Sequence, residues 1–240
     1  MIDLFRGIRD KIDFRLNARK EYEIRVASRN RILDIGGRNR SSRSGEQLNA
    51  LSKNPDRTVI CTDILPDYKP DIVDDICNTA IKPKTFDGVY CDAILEHVEE
   101  YWKAVDNIYD VMKEDGEAFF YVPFMFHFHD FTDYHRFTFT EVARMLNRFS
   151  DVKIFIPGEY DGFGWVFWYV VTMTTIGKYK RLHQVLGKAI NSSLKALLSI
   201  VYRVRRNEIQ KRYHDISVQD FCYYYVYLFM NHGFCAWARK

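Results

Sequence analysis

The 240-residue chain is long enough for one α/β domain with additions, and its 47% hydrophobic and 28% charged content excludes a generally disordered protein. A net charge of +3 is too small to indicate nucleic-acid binding, so no nucleic-acid partner is expected. Five cysteines without a C-x-x-C pair argue against a disulfide framework or a cysteine-rich zinc site. The cysteines therefore favour reduced thiols and a cytoplasmic protein.

The first 28 residues predict a charged amphipathic helix, because Leu4, Ile8, Ile12 and Leu16 recur four residues apart. From Arg31 the pattern changes to short apolar runs that alternate with helical segments. Strands are predicted at 32–35, 58–62, 71–73, 86–91 and 118–122. Helices are predicted at 41–52 and 101–113, with a turn at 114–116 before the fifth strand.

The second half of the chain continues this alternation and then departs from it. Thr138 and Glu141 form a capping box that predicts a helix over 139–147, followed by a strand at 152–156. The last strand is predicted at 233–239. The predicted fold is an α/β, Rossmann-like, doubly wound, mostly parallel sheet of about seven strands. Its divisions are an N-terminal helix (1–28), a core (29–157), a helical aromatic and basic insertion (158–232) and a final core strand (233–240).

Distinctive residues fall at the predicted carboxyl ends of the strands, where α/β sheets bind ligands. Asp34 precedes a glycine turn at Gly36 and Gly37, and glycine permits close approach of a ligand to the backbone. Asp63 ends the second strand, where an acid can bind both ribose hydroxyls of a nucleoside. Asp75-Ile76 offers one polar and one apolar contact for an adenine. Each feature alone is more often structural, but three at successive strand ends favour a nucleoside site.

These motifs, together with Phe86–Cys91 and the Leu-Glu-His-Val segment 95–98, resemble class I S-adenosylmethionine-dependent methyltransferases over about residues 30–157. The resemblance is strongest to the type 11 group, whose members often act on small molecules, lipids and sugars. It implies S-adenosylmethionine as cofactor, with Asp34, Gly36 and Gly37 near its methionine part. It further places Asp63 on the ribose, Asp75 and Ile76 beside the adenine, and Cys91 and Asp92 beside the sulfonium.

Two positions depart from the family pattern. Arg38 and Arg40 stand where the family's turn usually has further glycines. Arginine suits bidentate carboxylate binding, so these residues are candidates for the methionine carboxylate, although they suit a phosphate equally well. His97 in the Leu-Glu-His-Val segment is interpreted as a structural histidine at the start of a helix rather than as a base.

The loop 123–138 is the most unusual stretch and carries three histidines among five phenylalanines. It resembles a segment of methyltransferases from bacterial glycan clusters. His129 and Asp133 are the leading candidates for a general base and an acceptor hydrogen bond, ahead of His127 and His135. A metal site at His127, His129 and Asp130 has no long-range partner pattern, so no metal is predicted. A purely structural aromatic lid remains an alternative.

Apolar residues at helical spacing from Leu182 to Val201 predict an amphipathic helix in the insertion. Residues 178–212 contain ten Lys or Arg and a single acid, Glu208. Such a helix fits an anionic membrane interface, while a surface helix that packs on the core or on a second subunit fits equally well. Peripheral contact with the inner face of the membrane is therefore one expectation, and it would suit an acceptor with a lipid tail. The oligomeric state is not predicted.

Together these features predict a methyltransferase that moves a methyl group from S-adenosylmethionine to an oxygen of a small-molecule, sugar or lipid-linked glycan acceptor. One alternative is a nucleotide-dependent oxidoreductase or sugar-nucleotide enzyme, but the chain lacks the expected G-x-G-x-x-G after its first strand. The other alternative is a non-catalytic, membrane-associated module with the same fold.

Overall fold

The computed structural model describes residues 7–39, 43–158, 161–172, 180–213 and 216–240. Its strands are β1 (Arg31–Ile35), β2 (Thr58–Asp63), β3 (Ile72–Val73), β4 (Phe86–Asp92), β5 (Met112–Pro123), β6 (Asp151–Phe155) and β7 (Gly233–Arg239). Its helices are α1 (Ala18–Ala27), α2 (Arg43–Leu51), α3 (Tyr101–Val111), α4 (Phe139–Met145), α5 (Phe163–Thr172), α6 (Lys180–Val204), α7 (Arg206–Tyr213) and α8 (Val218–Tyr223).

The seven strands form one sheet in the order β3-β2-β1-β4-β5-β7-β6. Strands β1 to β5 are parallel, and β7 runs antiparallel between β5 and β6. Alternate residues of the central strands face opposite sides: Leu33 packs with α3 and α4, whereas Ile32 packs with α1 and α2. This arrangement confirms the predicted doubly wound sheet. Its chain order reverses between β1 and β4, where such sheets bind ligands beyond the strand ends.

The predicted continuous helix over 1–28 is wrong. Among its described residues, only Ala18–Ala27 is α-helical, preceded by a single 3-10 turn at Arg9–Lys11. Ile12 is extended and buried, and it forms a β-bridge with Ile154 of β6. The four-residue apolar spacing thus reflects a segment that packs along the edge of the sheet, because edge packing can bury the same residues as a helix face.

The predicted turn at 114–116 lies within β5, which begins at Met112. The pairing with β4 shifts there from Phe86–Met112 to Gly88–Glu117, so the extra residues form a bulge. Asp115 adopts a positive φ of 61° at this bulge. The acidic segment therefore bends the strand instead of preceding it.

Helix α6 does not bury its whole apolar face. Gly164 of α5 packs against Gly187 of α6, and a Cβ at Gly164 would lie 2.1 Å from the Gly187 carbonyl oxygen. The buried side of α6 carries polar His183 and Asn191, with Asn191 Oδ1 accepting from the Gly164 amide at 2.6 Å. An exposed apolar stripe remains on the other side: Leu182, Val185, Leu197, Ile200 and Val204. Within the described ranges, no helix combines the length and apolar character that membrane crossing requires.

Candidate active site

A cavity of about 1430 Å³ lies beyond the carboxyl ends of β1, β2, β4 and β5. One part is lined by the ends of β1 and β2 and by the segment that follows β3. The other part is lined by the loop 123–138 and by Trp165 and His232, which both lie between β6 and β7. Its volume exceeds that of a typical pocket for one ligand, so it can hold a cofactor and an acceptor together.

The glycine turn after β1 forms part of this wall. Gly36 has a φ of 65°, and a Cβ there would lie 2.1 Å from Ile94 Cδ1, so only glycine fits. Gly37 does not line the cavity; a Cβ at this position would lie 2.1 Å from Asp34 Oδ2. The two glycines thus let the chain turn tightly over a buried acid.

That acid, Asp34, lies beneath the cavity rather than in its wall. It is 1% exposed, and its Oδ2 accepts a hydrogen bond from Ser44 Oγ at 2.8 Å. Burial, together with the nearby charge of Asp92, raises the pKa of Asp34 to about 7. The structure therefore places Asp34 where it ties the β1 turn to α2, and any effect on a cofactor passes through Gly36 and Gly37.

The ends of β2 and β3 supply the residues expected around a nucleoside. Asp63 lines the cavity, and its Oδ1 accepts from the Leu65 amide at 2.9 Å, which leaves its other oxygen available for a ribose hydroxyl. Ile76 also lines the cavity and is buried, so it offers an apolar surface. The exposed Asp75 caps the following 3-10 turn through the Cys77 amide at 2.9 Å.

The end of β4 differs from the prediction. Cys91 is completely buried and does not line the cavity, and burial raises the pKa of its thiol. Asp92, which the same resemblance placed beside the sulfonium, lines the cavity and accepts a hydrogen bond from Arg19 Nη2 at 3.2 Å. Arg19 comes from α1 and also pairs with Glu23 at 2.8 Å. No spacing pattern in the sequence indicated Arg19, because its place in the wall depends on how α1 packs.

Arg38 reaches the cavity and has a positive φ of 56°. Its guanidinium stacks on the ring of Tyr68, with Cζ 4.5 Å from the ring centroid. Both residues line the cavity on the nucleoside side. The prediction for Arg40 falls outside the described residues.

In the acceptor loop, His129 lines the cavity but Asp133 does not. The Asp133 side chain is fully buried, and it pairs with both terminal nitrogens of Arg136. Its Oδ2 also lies 3.0 Å from His129 Nδ1. The Arg136 hydrogen bonds lower the pKa of Asp133 to about 2. The structure thus corrects the expected direct contact of Asp133 with an acceptor: Asp133 orients His129 and anchors the loop.

Glu96 and His97 complete the floor of the cavity in a 3-10 turn at Leu95–His97. Glu96 is 1% exposed, and burial raises its pKa to about 8, with further contributions from Asp92 and Asp133. Its backbone oxygen accepts from the Tyr134 amide at 2.8 Å, which fastens the loop to this turn. Glu96 was not predicted as a site residue, because its sequence context indicates only a helix start.

The second half of the chain contributes Trp165 and His232 to the wall. Their rings are in contact at a tilt of 36°, with centroids 4.6 Å apart. His232 Nδ1 lies 3.4 Å from Asp161 Oδ1, and burial lowers the pKa of His232. The aromatic run at 163–169 was the only sequence signal for this part, and it gave no indication of His232.

Comparison with known proteins shows the fold. Residues 41–120 match the family model of a methyltransferase domain. A search of curated proteins found no match. Among solved structures, a SAM-dependent methyltransferase from Archaeoglobus fulgidus is 18% identical with a TM-score of 0.53, and the match covers 93% of this chain and 92% of that one. The [4+2]-cyclase SpnF is 13% identical with a TM-score of 0.50, over 95% and 85% of the two chains.

The cyclase shows that this fold alone does not define a reaction. The cavity wall nevertheless contains a carboxylate at Asp63, an apolar surface at Ile76 and a second carboxylate at Asp92. The matched segment and the sheet order show that residues 41–120 are similar to a methyltransferase domain and that the chain has the fold seen in S-adenosylmethionine-dependent methyltransferases.

Proposed function

We propose that the protein transfers a methyl group from S-adenosylmethionine to an oxygen of a sugar or lipid-linked glycan. The observation that carries the proposal is the continuity of the cavity, which joins the nucleoside side at Asp63 to the acceptor loop at His129. Methyl transfer is an in-line displacement, so a second ligand must lie directly beside the methyl group. Aromatic side chains on the acceptor side, including Phe126, Tyr134 and Trp165, suit the apolar face of a sugar ring.

His129 is the proposed group that activates the acceptor hydroxyl. Its Nδ1 faces two acceptors, the Asp133 carboxylate at 3.0 Å and the His127 carbonyl oxygen at 3.3 Å. This leaves Nε2 with its lone pair, because the proton of a neutral imidazole resides on the nitrogen that donates. Asp133 has the same positioning role that a buried acid has in a catalytic triad.

We also propose that the protein works in the cytoplasm at an anionic membrane surface. The exposed apolar stripe of α6 supports this, together with exposed Phe167, Val170 and Val171 on α5. Arg181, Lys188 and Arg203 of α6 are also exposed and bring positive charge to the same helix. An acceptor with a lipid tail would be presented to the cavity from such a surface.

Variants that separate cofactor binding from turnover test the methyltransferase proposal. Asp63→Ala should weaken binding of S-adenosylhomocysteine by ~1.5–3 kcal/mol, the cost of losing a hydrogen bond to a charged group. His129→Ala and Asp133→Ala should reduce turnover about 10²–10⁴-fold with little change in cofactor affinity. Calorimetry measures the first effect, and release of S-adenosylhomocysteine with a panel of glycan acceptors measures the second.

Two outcomes would contradict the proposal. The first is tight binding of a nicotinamide dinucleotide with no binding of S-adenosylmethionine or its demethylated product, which would favour an oxidoreductase. The second is full turnover in both His129→Ala and Asp133→Ala, which would remove the loop from the mechanism. Binding of the cofactor without turnover of any acceptor would favour a non-catalytic module.

A further inference from the structure

Three potential metal ligands converge in the floor of the cavity: Glu96, His97 and His129. One ligand atom from each residue lies within 4.8 Å of those from the other two. Glu96 and His97 follow β4, whereas His129 lies in the loop after β5. The parallel neighbouring strands bring these segments together, which explains why the sequence gave no spacing pattern for a metal site.

Both histidines are held in the orientation that metal-binding histidines adopt. His97 Nδ1 lies 3.2 Å from the carbonyl oxygen of Thr132, and His129 Nδ1 lies 3.0 Å from Asp133 Oδ2. Each ring can therefore donate its Nδ1–H to a fixed acceptor and keep a lone pair on Nε2. Metal-ligating histidines almost always donate their other ring nitrogen to a carboxylate or a backbone carbonyl in this way.

Glu96 supplies the third group, a carboxyl that would lose its proton when a cation binds beside it. Its side chain is 2% exposed, and among the described residues its Oε2 has no hydrogen-bond partner. Its Oε1 lies 3.9 Å from His97 Nε2. A buried carboxylate oxygen without a partner is costly, and a cation beside it would remove that cost.

We propose that Glu96, His97 and His129 bind a divalent transition-metal ion. Two imidazoles and one carboxylate are ligands that zinc and iron(II) accept, with positions left open for other ligands. Zinc bonds of about 2.0–2.1 Å place ligand atoms roughly 3.4 Å apart, so the three side chains close slightly around the ion. The pair His127 and Asp130 is not part of this site, since His127 Nδ1 bonds to the Tyr169 hydroxyl at 2.5 Å.

The site gives the proposed methyltransferase a route for acceptor activation, and this part rests on the proposed function. The three ligands lie in the cavity wall, so an open coordination position faces the acceptor space. A hydroxyl bound there would have a lowered pKa, since a divalent cation stabilises the alkoxide. His129 would then activate the acceptor through the ion that it helps to hold.

Metal titration of the chelator-stripped, untagged full chain tests the proposal. Calorimetry with Zn²⁺ and visible spectroscopy with Co²⁺ should both show one equivalent bound. Glu96→Gln and His129→Ala should each weaken binding at least 10²-fold. Asp133→Asn should weaken it about 10–100-fold, the usual effect of losing a partner of a ligating histidine. His135→Ala is the matched control, because this histidine lies in the same loop but bonds to the Glu99 carbonyl oxygen through Nε2.

Absence of binding by the unaltered protein would overturn the site, as would unchanged binding in both Glu96→Gln and His129→Ala. An equal loss in His135→Ala would also overturn it, since the effect would not be specific to the three ligands. Affinity for S-adenosylhomocysteine is measured on the same samples. Retained cofactor affinity shows that a variant is folded, and it separates failure of the metal site from failure of the methyltransferase proposal.

Discussion

Asp34 is a buried carboxyl group whose neighbours do little to offset its loss of water. Its Oδ2 accepts from Ser44 and contacts the Cys61 thiol, while its Oδ1 has no hydrogen-bond partner among the described residues. No described cation pairs with it, and the nearby acid Asp92 disfavours its charge. Ionisation of Asp34 in the folded protein therefore costs more than in the unfolded chain.

This difference predicts how the stability of the cofactor-free protein depends on pH. The pKa of Asp34 rises from 3.8 to about 7 on folding, so the folded protein holds this proton when the unfolded chain has lost it. The protonated Asp34 therefore stabilises the folded protein fully below about pH 4, and this stabilisation is lost as the pH rises through about 7. Glu96, with a pKa of about 8, extends the decline to higher pH.

Asp34→Asn should remove part of the decrease in the free energy of unfolding that accompanies rising pH. We expect a free energy of unfolding close to that of the unaltered protein at pH 4 and higher by on the order of 4 kcal/mol at pH 8.5. Denaturant unfolding of both proteins at a series of pH values measures this difference. Asp56→Asn, at an exposed acid, should leave the pH dependence unchanged. A parallel decline in Asp34→Asn and the unaltered protein would show that Asp34 is not responsible.

At the scale of elements, helix α6 presents apolar side chains to solvent while it buries an asparagine. Val185, Ile200 and Val204 are 64%, 58% and 79% exposed. Asn191 is buried, where its amide bonds to the Asp161 carbonyl oxygen at 2.8 Å. A helix oriented in this way leaves an apolar surface uncovered, which is unusual unless another surface covers it.

Replacement of Leu197 and Ile200 by serine should weaken binding to anionic vesicles. The exposed apolar groups would insert into the interface, while the cations of α6 contribute roughly 1 kcal/mol each near the surface. Co-sedimentation with vesicles containing phosphatidylserine measures binding and should decrease as salt rises. Val73→Ser, at an exposed apolar residue of β3, is the matched control. Salt-independent binding, or none, would favour a protein partner for this face.

The elements differ in how well the sequence predicted them. The strands β1, β2 and β4 were predicted to within one residue, because each is a buried apolar run stopped by a glycine or an acid. The helix over 1–28 failed, because a four-residue spacing does not distinguish a helix from an edge segment such as the one at Ile12. Among the predicted site residues, those at strand ends, such as Asp63 and Ile76, do lie in the cavity wall. Arg19, Glu96 and His232 could not be predicted, since their positions depend on tertiary packing.

At the scale of the whole molecule, the segment between β6 and β7 closes the acceptor side of the cavity. Trp165 is 7% exposed, although it lines the cavity, because its ring lies between those of Tyr169 and His232. Tyr169 in turn bonds to His127 of the acceptor loop. The acceptor wall is thus one aromatic network built from two distant parts of the chain.

Trp165→Ala should raise the acceptor KM about tenfold and leave the affinity for S-adenosylhomocysteine unchanged. The reason is that the lost ring contacts the acceptor space and not the nucleoside side of the cavity. Steady-state kinetics with a water-soluble acceptor, together with calorimetry, separates the two effects. Phe167→Ala on the same helix is the control, since Phe167 is exposed and does not line the cavity. Equal losses in both variants would indicate a general disturbance of α5.

The position of β7 has a consequence for how the protein reaches its native state. Gly233–Arg239 pairs with β5 on one side and β6 on the other. It therefore inserts between two strands that are synthesised before it. Until it emerges from the ribosome, both of those strands keep an open hydrogen-bonding edge. Such edges are templates for pairing with another chain. Folding of this sheet is therefore completed only after β7 has been synthesised, and β5 and β6 stay open to pairing with another chain until then.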